Sequence, residues 1–375
     1  MLLPVAHCIV DIYSSALGAL QPLLVAHFGL SLTQAGLLGG ALVSSSYLTQ
    51  PPFGILADRV PSRLYAILGP LIAGIFISSL GLAPNFGTLV AMVCIGGIGM
   101  AMFHPQASSS VLVGAGANRG RVMGMFIGAG ALGFSIGPTA LAALAEVVQL
   151  RGLWIAALPG LLISSVLFFR FNPPLRPRAR TAEAKIPAAA RQALVLLFLL
   201  VCIRSVIQVT YGHLLPLYFT RELGYSTLHA NFIVSLYFGA GAIGGLVGGQ
   251  LADSFGGQRV IEWSMILSMP LLLASFLTSS AVSVAALVAG GFVLLLTIPV
   301  NVMMAQELAP GQTSAVSALM MGFAWGITGI IFVPITAWVA DRTSLHHALM
   351  ALTAFPIVGF GIARRFRTLP IPSAN

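Results

Sequence analysis

Few side chains in this sequence can do chemistry away from its loops: His7 and Asp11 in one apolar stretch, His104 in another, Arg204 and His213 in a third, and the uncharged Asn301 in a fourth. A charged group at the centre of a membrane helix costs at least ~2.5–3.5 kcal/mol on insertion scales, so each ionisable one needs a reason. His7 and Asp11 are four apart and share a helical face, while Arg204, Gln208 and Tyr211 at i, i+4 and i+7 form a second stripe. A carboxylate that alternates between wet and dry surroundings beside a cation can load and release a proton. An imidazole such as that of His104 can change charge near neutral pH. Arg204 keeps its charge in any protein setting, so it can hold an anionic group bidentately or act as counter-ion to Asp11, but it cannot carry the proton. The pattern therefore points to coupled binding, with Asp11 and His104 as proton groups and His7, Asp11, His104, Arg204, Gln208, Tyr211 and Asn301 as substrate contacts. Each has a plainer reading: Asp11 as a fixed partner of His7, Arg204 in a structural ion pair, His104 donating to a carbonyl freed by Pro105, Asn301 in an interhelical hydrogen bond. His213, on roughly the opposite side of its helix from Arg204, carries less weight.

The elements that position these groups follow from composition. The chain has 375 residues, 58% hydrophobic and 7% charged, with a mean hydropathy of +0.97. A soluble domain carries about 25% charged residues, so this surface must face lipid. A membrane β-barrel is excluded, because its strands would alternate in segments of about ten residues. Twelve apolar segments stand out, at 3–26, 32–56, 64–82, 86–111, 120–145, 152–171, 192–219, 226–251, 260–279, 282–306, 312–340 and 347–364. Each is near or above the ~20 residues that span a bilayer. Residues 172–191 are rich in Pro, Ala and Arg and read as a linker between two six-helix halves, 1–171 and 192–375. With both termini cytoplasmic, fourteen of the 18 basic residues fall on the cytoplasmic side and only Arg151, Arg221 and Arg342 opposite, an asymmetry that orients the chain in a cell (inner) membrane. The net charge of +9 is thus a topology signal and calls for no nucleic-acid partner. No basic n-region or small-residue cleavage site marks a removable signal peptide. Cys8, Cys94 and Cys202 sit in apolar segments with no metal or disulfide spacing.

The chain also repeats itself. Gly54-Ile55-Leu56-Ala57-Asp58-Arg59 with Arg63 closes the second segment, and Gly249-Gln250-Leu251-Ala252-Asp253 with Arg259 closes the eighth. The glycine-spaced fifth segment, with Gly133, Gly137 and Pro138, answers to the eleventh, with Gly326, Gly329 and Pro334. The Gly-x-x-x-Asp-Arg loop and the Gly133-x-x-x-Gly137-Pro138 run resemble the signature motifs of the major facilitator superfamily. A narrower resemblance runs through His7-Cys8-Ile9-Val10-Asp11, Gln21-Pro22, Gln50-Pro51-Pro52-Phe53-Gly54 and, most specifically, Phe103-His104-Pro105. These look like the fosmidomycin-resistance branch of drug exporters. Where that branch usually has Asn before the helix-one acid and often Glu after Phe-His-Pro, this chain has Val10 and Gln106, so no helix-four carboxylate role carries over.

The resemblance implies an all-α polytopic membrane protein, twelve transmembrane helices as two six-helix halves around a central cavity. It implies rocker-switch alternating access, with Gly54, Asp58, Arg59, Arg63, Gly133, Gly137, Pro138, Gly249, Asp253 and Arg259 as conformational residues. The expected function is a proton-coupled antiporter exporting small amphipathic or anionic compounds. An importer of an organic anion, such as a carboxylate or sugar phosphate, is the alternative, and a non-transporting sensor or lipid-binding scaffold is the reading from another class. Partners are the substrate, protons and membrane lipids, in a monomer. With no phosphate-binding loop and no metal-ligand spacing, no enzyme, cofactor or metal is expected.

Overall fold

The computed structural model describes residues 2–59, 63–112, 119–172, 188–309 and 312–367. Most of the 172–191 linker lies outside the described residues. The elements are α1 (Leu2–Phe28), α2 (Leu32–Tyr47), α3 (Gln50–Arg59), α4 (Leu64–Ser78), α5 (Phe86–Val111), α6 (Arg119–Gly152), α7 (Leu158–Arg170) and α8 (Ala188–Arg221). After them come α9 (Thr227–Phe255), α10 (Gly257–Leu277), α11 (Ser280–Leu295), α12 (Thr297–Leu308), α13 (Thr313–Ala318), α14 (Ala324–Arg342), α15 (Leu345–Leu352) and α16 (Phe355–Arg367). Among the described residues nine stretches are long and apolar enough to cross a membrane, one of which, Arg121–Arg170, runs through two spans. With the shorter Leu64–Ser78 and the α2–α3 pair these make the twelve expected spans, six in each half.

Several spans are less continuous than their hydropathy implies. The second breaks at Leu48–Thr49, where Pro51 and Pro52 start α3; a proline fits a first helical turn and disfavours helix in the residue before it. The tenth breaks at Leu296 and the twelfth at Thr353–Ala354, each shortly before a proline, Pro299 and Pro356. The fifth runs on to Gln149, whose φ of 60° and ψ of 170° end the helical path and turn the chain toward α7. The eleventh contains a π-helical turn at Leu319–Phe323, a local rewinding often found at functional sites.

The two ends of the bundle differ. At the far end, where α1 meets α2 and α8 meets α9, Ser31, Asn85, Ser226 and Ser344 cap the incoming helices with side-chain oxygens. There the halves touch closely. The Asn231 amide donates to the Ala19 carbonyl at 3.1 Å. A Cβ on Gly18 of α1 would lie 2.1 Å from the Gly212 oxygen of α8, and one on Gly36 of α2 would lie 2.5 Å from the Ala337 Cβ of α14. At the near end, which carries the Arg59–Leu64 and Val111–Arg119 connections, Gly124 and Gly128 of α6 and Gly249 of α9 face open space. The halves are therefore closed at the far end and apart at the near end. Gly18→Ala is expected to destabilise this closed contact by about 1–3 kcal/mol, read as a lower Tm and a shift toward far-end opening.

Candidate functional site: a cavity between the halves

Between the halves lies a cavity walled by α1, α2, α3, α5 and α6 from one side and α8, α9 and α14 from the other. Its lining is mostly aromatic and small: Tyr47, Phe134, Phe238 and Trp325 supply the rings, and Ser14, Ser15, Ser46, Gln50, His104, Gln208 and His213 the polar edges. Both halves contribute, so a ligand held here feels their relative movement.

Behind one wall, where of the three only His104 reaches the cavity lining, Asp11 stands between the imidazoles of His7 and His104. Its Oδ2 is 3.3 Å from His7 Nε2 and its Oδ1 is 3.2 Å from His104 Nε2. The other nitrogen of each ring meets a main-chain carbonyl, His7 Nδ1 at 2.8 Å from Phe126 O and His104 Nδ1 at 2.7 Å from Met100 O. Carbonyls only accept, so both Nδ1 atoms carry hydrogen. The His7 ring stacks on Phe126 at 4.1 Å between centroids. Gly130 of α6 leaves room for the group, since a Cβ there would come 2.6 Å from His7 Nε2 and 2.7 Å from Asp11 Oδ2. Ser14 donates to Val10 O at 3.1 Å, with Asp11 Oδ1 3.4 Å away. Among the described residues these three are the one cluster whose donor atoms, all within 4.8 Å of one another, are close enough to share a cation; no metal was expected from the sequence.

Arg204 is placed differently from its stripe partners. It is 2% exposed and stands behind the wall formed by Gln208 and Trp325. Its Nη1 donates to Gln208 Oε1 at 2.9 Å and its Nη2 to Ser205 Oγ at 3.3 Å, with the guanidinium carbon 5.2 Å from the Trp325 ring centre. Among the described residues no carboxylate pairs with it, and its Nε has no acceptor. The structure thus does not bring Arg204 to Asp11. Tyr211 turns away from the cavity and donates to Leu349 O at 3.2 Å. Asn301 is 1% exposed, outside the cavity lining, with neither amide atom hydrogen-bonded.

The conformational residues divide. Gly133 and Gly137 press α6 onto α1 within one half: a Cβ on either would meet Cys8 O or Ser15 Oγ, and Pro138 is buried beside them in α6. Gly54 faces only Pro105, at 3.7 Å, Gly249 faces open space, and Asp253 and Arg259 are exposed. Arg63 reaches back to Phe171 O at 3.4 Å and lies over Phe168. The side chains of Asp58 and Arg59 lie outside the described residues. The sequence reading missed one of the contacts that tie the two halves together at the far end. Asp341, ending α14, accepts from the Leu32 and Thr33 amides at 3.0 and 2.7 Å, so it caps α2 of the other half. Asp341→Asn is expected to weaken that closure by about 0.5–2 kcal/mol, a roughly twofold to thirtyfold shift toward far-end opening in a label-distance measurement.

Tyr47, Gln50, His213 and Trp325 were also missed as cavity residues. His213 shares its helix with Gln208, and the cavity-facing side of α8 runs through Gln208, Val209, Gly212 and His213 rather than through Arg204 and Tyr211. A period-3.6 stripe chosen by polarity marked the edge of that face. Nothing in the aromatic residues themselves distinguishes a cavity wall from a core.

The fold and the cavity define a secondary-transporter architecture. The sequence pattern of the Major Facilitator Superfamily matches residues 5–333, and the chain belongs to that family. It is a multi-pass membrane transporter of this kind. It is similar to the uncharacterized MFS-type transporter YfnC of Bacillus subtilis (strain 168), 28% identical over 96% of this chain and 90% of the relative. It is also similar to the fosmidomycin resistance protein of Escherichia coli (strain K12), 26% identical over 94% of this chain and 89% of that protein. Among solved structures, a bacterial homolog of the human lysosomal transporter Spinster, inward-facing and occupied, superposes with a TM-score of 0.86 at 16% identity, over 98% of this chain and 96% of that one.

Proposed function

We propose that this protein is a proton-coupled antiporter that exports small amphipathic or anionic compounds, with residues 1–171 and 192–375 rocking about the cavity and 172–191 joining them on the cytoplasmic side. The observation that carries the reading is Arg204: a guanidinium buried in the membrane interior, one side chain behind the cavity wall, with no carboxylate partner among the described residues. A buried cation left without a counter-ion is costly, and an anionic ligand that displaces Gln208 Oε1 would relieve the cost. The aromatic lining suits an apolar or ring-bearing body on that anion.

Protons would load at His104 on the facing wall and at Asp11 behind it. Loading ties α1 to α5, and release toward the near end loosens that tie. The arginine-rich side is the near end, so the positive-inside rule makes the open face cytoplasmic and the closed face external. A molecule entering from the cytoplasm would leave after the Asp341 cap breaks. The similarity to a fosmidomycin resistance protein supports export and makes fosmidomycin-like anions reasonable probes. An importer of organic anions would use the same guanidinium, and vesicles of opposite orientation separate the two. Imposed acid outside should drive ligand out of right-side-out vesicles; net accumulation there instead would establish import, and no movement of any ligand or proton would leave a non-transporting scaffold.

A further inference from the structure

His213 lines the cavity from α8 and is 7% exposed, with no hydrogen-bond partner at Nδ1. Helix α2 of the other half seals that nitrogen: a Cβ on Gly39 would stand 3.0 Å from His213 Cγ, 3.3 Å from its Nδ1 and 2.9 Å from Val333 Cγ1. The ring nitrogen left to meet a ligand is Nε2. Burying a polar ring without partners is costly, and a ligand group at Nε2 would offset part of that cost.

Two polar anchors thus stand on the cavity face of one helix. Gln208, which holds Arg204, and His213 lie five residues apart on α8, about 7.5 Å along its axis. The wall between them is apolar. Val209 lines it, and the Phe238 ring of α9 closes on Gly212, where a Cβ would lie 3.0 Å from Phe238 Cζ. Phe134 of α6 meets Phe238 edge to face at 4.8 Å between centroids, so both halves border this stretch. A ligand whose anionic head reaches Gln208 and Arg204 can lay its body along these rings and bring its other end to His213.

The ring also indicates what that end should be. Nδ1 makes no hydrogen bond that would fix the tautomer, so Nε2 can present either a proton or a lone pair. A hydroxyl donates and accepts, and so serves either form; an alkyl terminus serves neither. Among the described residues no charged side chain is ion-paired with His213, which suits an uncharged partner.

We propose that His213 is a second ligand anchor, and that the cavity selects compounds with an anionic head, an apolar middle and an uncharged hydrogen-bonding end such as a hydroxyl. The inference rests on the anion reading of Arg204 above. Because α2 belongs to the other half, the end held at His213 lies directly under the far-end closure.

The test pairs alkylphosphonates with ω-hydroxyalkylphosphonates of equal chain length, and measures their binding to the full chain in lipid nanodiscs by thermal shift. The hydroxyl is expected to tighten binding to the native protein roughly two- to tenfold at the chain length that reaches His213, with no gain at shorter ones. His213→Gln carries an amide to the position of Nε2 and should keep a gain. His213→Asn reaches only as far as Nδ1 and should lose it, while still binding the alkylphosphonates. Alkylphosphonate binding with no gain from the hydroxyl overturns the second anchor and leaves the anion reading standing. A gain that survives in His213→Asn overturns the role of His213. Binding of no phosphonate overturns the anion reading and the second anchor with it. If His213→Asn does not fold, His213→Leu takes its place with the same expected loss, and if neither folds the native contrast decides.

Discussion

Asp11→Asn is expected to reduce pH-gradient-driven transport to the level of vesicles lacking the protein, while ligand-induced thermal stabilisation persists. The carboxamide nearly matches the carboxylate in size, and its NH2 can donate to the bare Nε2 of a neutral ring. Gly130, with no side chain, leaves the space unchanged. What is lost is the ability to gain and lose charge: the amide neither binds a proton at working pH nor attracts an imidazolium with the strength of a charge-assisted bond, roughly twice that of a neutral one. Binding at Arg204, across the cavity and not paired with Asp11, should be spared. Counterflow, which needs no gradient, is the companion assay, and it should retain most of its rate. Intact gradient-driven transport in Asp11→Asn would remove this residue from the coupling step.

Arg204→Gln is expected to act in the opposite sense on binding and stability. A charge-assisted hydrogen bond to a ligand anion is worth about 1.5–3 kcal/mol, so its loss should weaken anion binding by roughly 10- to 150-fold. The unliganded protein should not suffer in proportion. Arg204 is 2% exposed, its Nε is unsatisfied, and a buried charge with no opposite partner carries a desolvation cost that a neutral side chain avoids. An unchanged or raised Tm together with lost anion binding is the signature of a cation kept for its ligand. A structural ion pair would give the reverse, a Tm lowered by several degrees with binding intact.

The sequence was most legible where lipid imposes one answer. A backbone in hydrocarbon must bond to itself, so apolar length alone marked the twelve spans. It was less legible where proline interrupts: α3 at Pro51, α12 near Pro299 and α16 near Pro356 follow breaks that hydropathy does not register. The His7–Asp11 pairing followed from helical spacing, and His104 joined it across helices as a residue of the same chemistry. The Arg204 stripe misled because period 3.6 says which residues share a face, not which way the face points. Tyr211 lies on that face but turns into the core of its own half, while His213, set aside for standing opposite, lines the cavity. The Asp341 cap on α2 joins residues more than three hundred positions apart and needed the fold to be seen at all.

The proposed role of Arg204 is to hold an anion in the cavity. Thermal shifts of the purified native protein and of Arg204→Gln, measured across matched phosphonates, carboxylates and their neutral or cationic analogues, test it most directly. Stabilisation of the native protein by the anions alone, lost in Arg204→Gln, is expected. Equal stabilisation by neutral or cationic analogues, or an anion response that survives in Arg204→Gln, would contradict it.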